Sequence, residues 1–340
     1  VRRVPDMPHA DPARSVVDII TGSWKAQALC AAVALQIPDH IAAGATTVDE
    51  LASAANAKPD GIRRLMRLMA NMQVFDGSER AGYRLTPVSA LLRAGASMSL
   101  RDMCLMYGDE FYRAWGAAPQ AISTSRPAFD HVFGRPLGVY LRENADAGVR
   151  FQRAMSAGSL FFADVPRLFD FSECRTVVDI GGGNGTLLSI ILGATSSCRG
   201  ILFDLPHVVA EAHEQAKLML DLDRCDMVAG DLFASIPQGA DVYLASRILQ
   251  DWDDDRCIQA LSNCREAMGG SGRLLILERV IPDDDSASLP LLWDLHLLMM
   301  TGGRERTIEE YHSLLRSAGL RVASVASLPL EMSMLTATRA

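Results

Sequence analysis

Residues 176–185 read T-V-V-D-I-G-G-G-N-G, and this stretch decides the fold. Val177, Val178 and Ile180 have the character of a buried strand, with Asp179 at its carboxyl end. Gly181, Gly183 and Gly185 leave backbone room for a ligand to lie against the turn. A helix-like segment, Thr186–Leu192, follows. Open α/β sheets bind nucleotide-like ligands at such a strand–turn–helix junction.

Downstream the rhythm stays strand–helix. Strands are expected at Thr176–Ile180, Gly200–Phe203, Cys225–Val228, Val242–Ala245 and Leu274–Leu277, with two closing strands at Leu320–Ser324 and Met334–Thr338. Helices are expected at Thr186–Leu192, Val208–Leu218, Asp254–Met268 and Ile308–Ser317. Alternation of this kind predicts an α/β fold with a doubly wound, mostly parallel sheet over residues 171–340.

Upstream, residues 1–14 are polar, with prolines and charges and no apolar core, so they read as a disordered lead and not as a signal peptide. Residues 15–100 read as a winged-helix-like domain. Ser15–Leu35 carries a helical stripe of Val16, Ile20, Trp24, Ala28 and Leu35, which fits either core packing or a dimer helix. Thr47-x-x-Glu50 resembles a capping box, Gly61–Met72 is a second helix, and Val74–Gly77 with Gly82–Thr86 suggests a hairpin wing. Arg63, Arg64 and Arg67 on the second helix fit a DNA-reading face or an ordinary solvated one. Residues 101–170 are helical and rich in aromatic side chains, the material of a core or of the wall of a pocket for a flat substrate.

At 340 residues and 49% hydrophobic the chain can bury a core for about two domains, and its net charge of −8 argues against a nucleic-acid partner held by charge. No apolar run reaches the roughly 18 residues of a membrane span. The nearest, Leu289–Met300, is interrupted by Asp294 and His296. The seven cysteines form no C-x-x-C pair, which fits reduced, buried thiols in a cytoplasmic protein and gives no zinc site.

The glycine turn lacks the spacing of a dinucleotide fingerprint, since Thr186 stands three residues beyond Gly183, and no Gly-Lys-Ser/Thr grips a phosphate. It suits an adenosine ligand with little or no phosphate. Asp204 ends the second strand, where a carboxylate can take both ribose hydroxyls. Asp231 and Leu232 follow the third strand, placed to hold an adenine. One such acid is more often a loop cap, but Asp179, Asp204 and Asp231 end successive strands and together point to S-adenosylmethionine.

The motifs D-I-G-G-G-N-G, F-D-L-P, G-D-L-F, D-W-D-D and G-G-R-E-R-T, in this order, resemble those of the small-molecule O-methyltransferases of plant and bacterial secondary metabolism. Within that family, T-G-S-W-K (21–25), R-L-M-R-L (64–68), R-D-M-C-L-M-Y-G-D-E-F (101–111), N-C-R-E-A-M (263–268) and L-L-W-D-L-H-L (291–297) look most like phenazine-modifying methyltransferases, with anthracycline-type tailoring enzymes next. The resemblance implies a homodimer with an N-terminal winged-helix dimerisation domain and a C-terminal Rossmann-like catalytic domain. It also implies that Gly181 and Gly183 lie against the amino-acid tail of the cofactor, that Asp204 holds the ribose with Leu205 nearby, and that Asp231 and Leu232 flank the adenine. By the same resemblance Ser246 contacts the cofactor, Met155 lines the pocket and Ser159 reaches the methionine carboxylate. The family's chemistry uses no metal, and Asp253-Asp254-Asp255 reads as the cap of the following helix and not as a metal site.

The chain departs from the family at one place. Where the family carries a histidine that deprotonates the acceptor hydroxyl, the sequence is Leu249-Gln250-Asp251-Trp252, and an amide accepts no proton at neutral pH. A phenol with pKa near 10 is only about 0.1% ionised at pH 7. A positioned base contributes about 10²- to 10⁴-fold. The expectation is therefore an acceptor that arrives nucleophilic, such as a ring nitrogen, an N-hydroxyl, a carboxylate or an acidified ring hydroxyl. Transfer by in-line displacement then needs alignment and exclusion of water. Glu278 and Glu305 match the two glutamates that flank the family histidine and are candidates for binding or base roles, Glu305 reading equally as a surface charge. His296 is a candidate replacement base or an ordinary core histidine. O-methylation is the first expectation and N-methylation the next. The rivals are a cofactor-assisted hydroxylase that no longer transfers methyl and a winged-helix DNA-binding regulator.

Overall fold

A computed structural model describes residues 11–96, 99–210, 223–284 and 289–340. The chain forms two compact units, Val1–Arg113 with Leu141–Gly158, and Ala114–Tyr140 with Ser159–Ala340. The aromatic-rich helical stretch 101–170 is thus divided between them.

In the first unit the expected helical run from Ser15 is broken in two. Pro12–Ile20 begins inside the stretch read as a lead, because the Asp11 side chain accepts the Ala13 N–H at 3.0 Å and caps it. Residues 1–10 lie outside the described residues. Thr21 separates this helix from Gly22–Ala34, its hydroxyl donating back to the Val17 carbonyl at 2.8 Å. None of Pro12–Ile20 is buried, and Ile19, Ile20 and Trp24 all face solvent. Val48–Ala54 opens on the Thr47–Glu50 capping box, Pro59–Asn71 follows, and β1 (Phe75–Ser78) pairs antiparallel with β2 (Gly82–Leu85). Leu51, Ile62, Met66, Met69, Phe75 and Tyr83 pack their core. The basic face of the second helix is internally matched: Arg63 and Arg67 each hold one oxygen of Glu79, at 2.7 and 2.9 Å, and Arg64 pairs with Asp60. Arginines committed to carboxylates are poorly placed to read phosphates.

The second unit is built on a sheet of β3 (Thr176–Ile180), β4 (Arg199–Asp204), β5 (Cys225–Ala229), β6 (Val242–Ser246), β7 (Arg273–Ile281), β8 (Arg306–Thr307), β9 (Leu320–Leu328) and β10 (Met332–Arg339). Their spatial order is β5-β4-β3-β6-β7-β10-β9, with β8 on β7. The strands from β5 to β7 run parallel, and β10 enters antiparallel to both β7 and β9. Near-continuous apolar strands such as β6 are buried because helices cover both faces of a parallel sheet. The helix expected over 208–218 starts at 206, and from 211 onward it lies outside the described residues. Among the described residues, no helix is long and apolar enough to cross a membrane.

β7 runs four residues beyond its expected end. Glu278 and Arg279 are buried and partnered there, Glu278 by the Ile248 N–H and Arg279 by the Trp293 ring, so the strand continues through them. Leu244 in β6 is fully buried between β3 and β7. Leu244→Ala is expected to cost about 2–5 kcal/mol, read as a lower urea midpoint with an unchanged slope.

Candidate active site

β3 pairs with β4 on one side and β6 on the other, so the loops leaving β3 and β6 diverge and open a crevice at their carboxyl ends. The glycine turn fills one wall of it. Gly181, Gly183 and Gly185 all take left-handed φ values (63°, 56° and 79°), which glycine adopts at no steric cost. A side chain at Gly181 would meet Ile248, whereas the space beside Gly183 is open for 4 Å.

Asp204 is tied to this turn. Its Oδ2 accepts the Gly183 N–H at 2.9 Å and its Oδ1 the Leu205 N–H at 2.7 Å. A carboxylate so held keeps lone pairs free for hydroxyl donors. Leu205 beside it is an exposed apolar side chain. Asp179 is buried below, its Oδ2 without a hydrogen-bond partner, and burial first, then the nearby Asp204 charge, pushes it up to about 7. Ser246 at the end of β6 likewise keeps a buried Oγ with no partner. Asp231 Oδ1 accepts the Phe233 N–H at 2.9 Å, and Asn263 holds the Leu232 carbonyl at 2.7 Å. Phe233 meets Trp252 edge-on, with ring centroids 4.8 Å apart.

One cation here was missed in the sequence. Arg247 has φ 54° and donates from Nη2 to Ser159 Oγ at 2.7 Å, its guanidinium lying over Phe161 and Phe162. The positive φ of a non-glycine residue and the contact across 88 positions have no local signal. Met155 sits on the helix Ala145–Ala157, which belongs to the first unit.

The departure from the family pattern lies on the turn Leu249–Asp251, a short 3₁₀ segment after β6. Gln250 is half-buried on it. Glu278 Oε1 accepts the Ile248 and Leu249 N–H groups, both at 2.8 Å, while Oε2 is buried without a partner. Burial holds Glu278 well above the ordinary carboxylate range. Glu305 is buried and not a surface charge, and neither of its carboxyl oxygens makes a hydrogen bond. Burial, then the neighbouring Glu278, pushes it up to about 9 in spite of Arg279, whose Nη1 is 3.9 Å away. Glu305 is therefore protonated at neutral pH and is no ready base. Asp253 accepts the Arg256 N–H at 2.9 Å and caps the helix Asp254–Ala267, as the acidic run suggested.

His296 has a different place from the replacement base considered above. The Trp115 indole N–H donates to its Nδ1 at 3.1 Å, and burial, reinforced by Arg279, lowers its pKa to about 4. The ring is neutral, with its proton on Nε2 and its basic nitrogen already accepting a hydrogen bond.

The buried glutamate makes stability depend on pH with a definite sign. Glu305 holds its proton to about 9 when folded and to 4.5 when unfolded, so folding takes up a proton in between and stability falls as pH rises through that window. Glu305→Gln removes this term. Thermal unfolding from about pH 5 to 9 is expected to show a shallower decline for the variant than for the wild type.

Comparison with known proteins places the chain. An O-methyltransferase domain model matches residues 115–321, and an O-methyltransferase dimerisation domain model matches residues 17–113. The chain is 42% identical to a 3-amino-4-hydroxybenzoate 4-O-methyltransferase of Streptomyces cremeus, covering 96% of this chain and 90% of the relative. It is 40% identical to a phenazine-1-carboxylate N-methyltransferase of Pseudomonas aeruginosa, over 96% of this chain and 98% of that one. A solved methyltransferase of calicheamicin biosynthesis, in its SAH-bound form, superposes with a TM-score of 0.88 at 32% identity, covering 98% of this chain and 100% of that one. With both domain models matched in order along nearly its whole length, this chain belongs to the O-methyltransferase family.

Proposed function

We propose that this protein is a homodimeric S-adenosylmethionine-dependent methyltransferase that modifies a planar heteroaromatic secondary metabolite of the phenazine type. The observation that carries the mechanistic part is Gln250, a non-basic side chain on the turn where the family places its base. O-methylation is the first reading and N-methylation follows closely.

The described residues fit the cofactor on three counts: an open left-handed glycine turn without a phosphate grip, a carboxylate tied to that turn, and two buried polar atoms without partners beside it. Asp204 takes the ribose hydroxyls, with Leu205 against the sugar and base. Asp231 and Leu232 flank the adenine, and the Phe233–Trp252 pair borders them. Gly181 and Gly183 admit the amino-acid tail, Asp179 and Ser246 face it, and Ser159 with Arg247 receives its carboxylate. When bound, the cofactor supplies an electrophilic methyl group on a sulfonium. The chain aligns the acceptor against it and excludes water. Glu278 holds the Gln250 turn, Glu305 binds the acceptor by a hydrogen bond, and His296 shapes the wall beside Trp115. The acceptor brings its own lone pair.

The apolar face of Pro12–Ile20 together with Trp24 is what the second copy covers, since an exposed patch of this kind on a dimerisation domain calls for a partner surface. Ile19 is 80% exposed, so Ile19→Asp leaves the folded unit intact and shifts the protein towards monomer in sedimentation velocity.

Labelled cofactor and a panel of hydroxy- and carboxy-phenazines test the activity. The expected product gains one CH₂, with label in the acceptor. A product that gains an oxygen identifies the hydroxylase instead, and no product from any member sinks the phenazine reading. Asp204→Asn is expected to weaken cofactor binding about tenfold or more, measured by calorimetry.

A further inference from the structure

Arg306 is fully buried, although it carries a charge. Its Nη1 donates to the Leu249 carbonyl at 2.8 Å and its Nη2 to the Trp252 carbonyl at 2.7 Å. Nε and Nη2 reach Asp254 Oδ1 at 3.1 and 2.8 Å. Two residues earlier, the Arg304 N–H donates to the Gln250 carbonyl at 2.8 Å. That approach is close enough that a Cβ on Gly303 would collide with the same carbonyl. The carbonyls of Leu249, Gln250 and Trp252 are thus all met from the segment 303–306.

The opposite side of the turn is met from β7, where Glu278 Oε1 takes the Ile248 and Leu249 N–H groups. β8 pairs with β7 in parallel, Arg306 opposite Val280, and Glu278 lies two residues before Val280 on the same face. One pair of strands therefore supplies both jaws, a carboxylate for the amides and a guanidinium for the carbonyls. An apolar side chain would fill the same volume with less desolvation cost, so a buried arginine spread over three acceptors of one segment is a locating device.

The segment it locates joins two parts of the site. Gln250 stands at its middle, and Trp252 at its end touches Phe233, which follows Asp231 and Leu232. We propose that Arg306 is a positioning residue for methyl transfer, holding the Gln250 turn so that the acceptor is aligned with the cofactor. The proposal rests on the methyltransferase reading above. Misplacement by about 1 Å costs on the order of 10²-fold in an alignment-driven reaction, so the effect falls on kcat.

The test compares the wild type with Arg306→Gln, Arg306→Lys and Gly303→Ala, using kcat, acceptor KM, the Kd of demethylated cofactor and amide hydrogen exchange of peptide 248–254. In Arg306→Gln, kcat is expected to fall about tenfold or more and exchange in 248–254 to quicken about tenfold or more, with cofactor Kd within about twofold. Arg306→Lys keeps the charge and part of the bonding, and recovers part of both losses. Gly303→Ala displaces the Gln250 carbonyl without touching the arginine and gives the same signature, which decides the matter if Arg306→Gln does not fold. Unchanged exchange in 248–254, or cofactor affinity lost in step with kcat, overturns the proposal. If the wild type itself transfers no methyl group, the activity reading fails, and exchange still decides whether Arg306 holds the turn.

Discussion

The site depends on the divergence of two adjacent parallel strands. β3 and β6 lie side by side, yet the chain leaves β3 towards β4 and leaves β6 towards β7. The crevice lies between those exits, and Gly181, Asp204 and Ser246 stand beside it at the carboxyl ends of β3, β4 and β6. Asp204 converts that crevice into a shaped surface by fixing the Gly183 and Leu205 amides at once. A left-handed turn that would otherwise sample many conformations is thereby held open.

The second organising feature is a group of acids taken out of water. Asp179, Glu278 and Glu305 are all buried, and all three keep a carboxyl oxygen with no hydrogen-bond partner. Each is raised above the ordinary carboxylate range, chiefly by burial. Groups in that state hold their protons closer to neutrality than ordinary carboxylates do and can donate hydrogen bonds. With Gln250 unable to ionise and His296 committed to Trp115, no strong base stands ready among the residues considered for that role. The chemistry proposed is alignment of an acceptor already able to attack.

Much of this was legible in the sequence because the signals were local. The glycine turn, the strand-end acids, the Thr47–Glu50 capping box and the wing hairpin are each carried by residues within a few positions of one another. What was not legible depended on distant partners. The end of β7 was misplaced because Glu278 is satisfied by amides 30 and 29 residues away. The state of His296 is set by an indole 181 residues upstream, and Arg247 acts on a serine 88 positions earlier. Arg306 drew no reading within G-G-R-E-R-T, since a two-residue strand has no periodicity to announce it. The break falls at Thr21, whose hydroxyl returns to its own helix.

The central claim is that the acceptor provides its own nucleophile and the protein provides alignment. The most direct measurement is the pH dependence of kcat/KM for a series of acceptors whose own pKa values differ. The account predicts an inflection that moves with the acceptor and stays in place in Glu305→Gln. An inflection fixed across the series and abolished in Glu305→Gln would contradict it, and would make Glu305 the base.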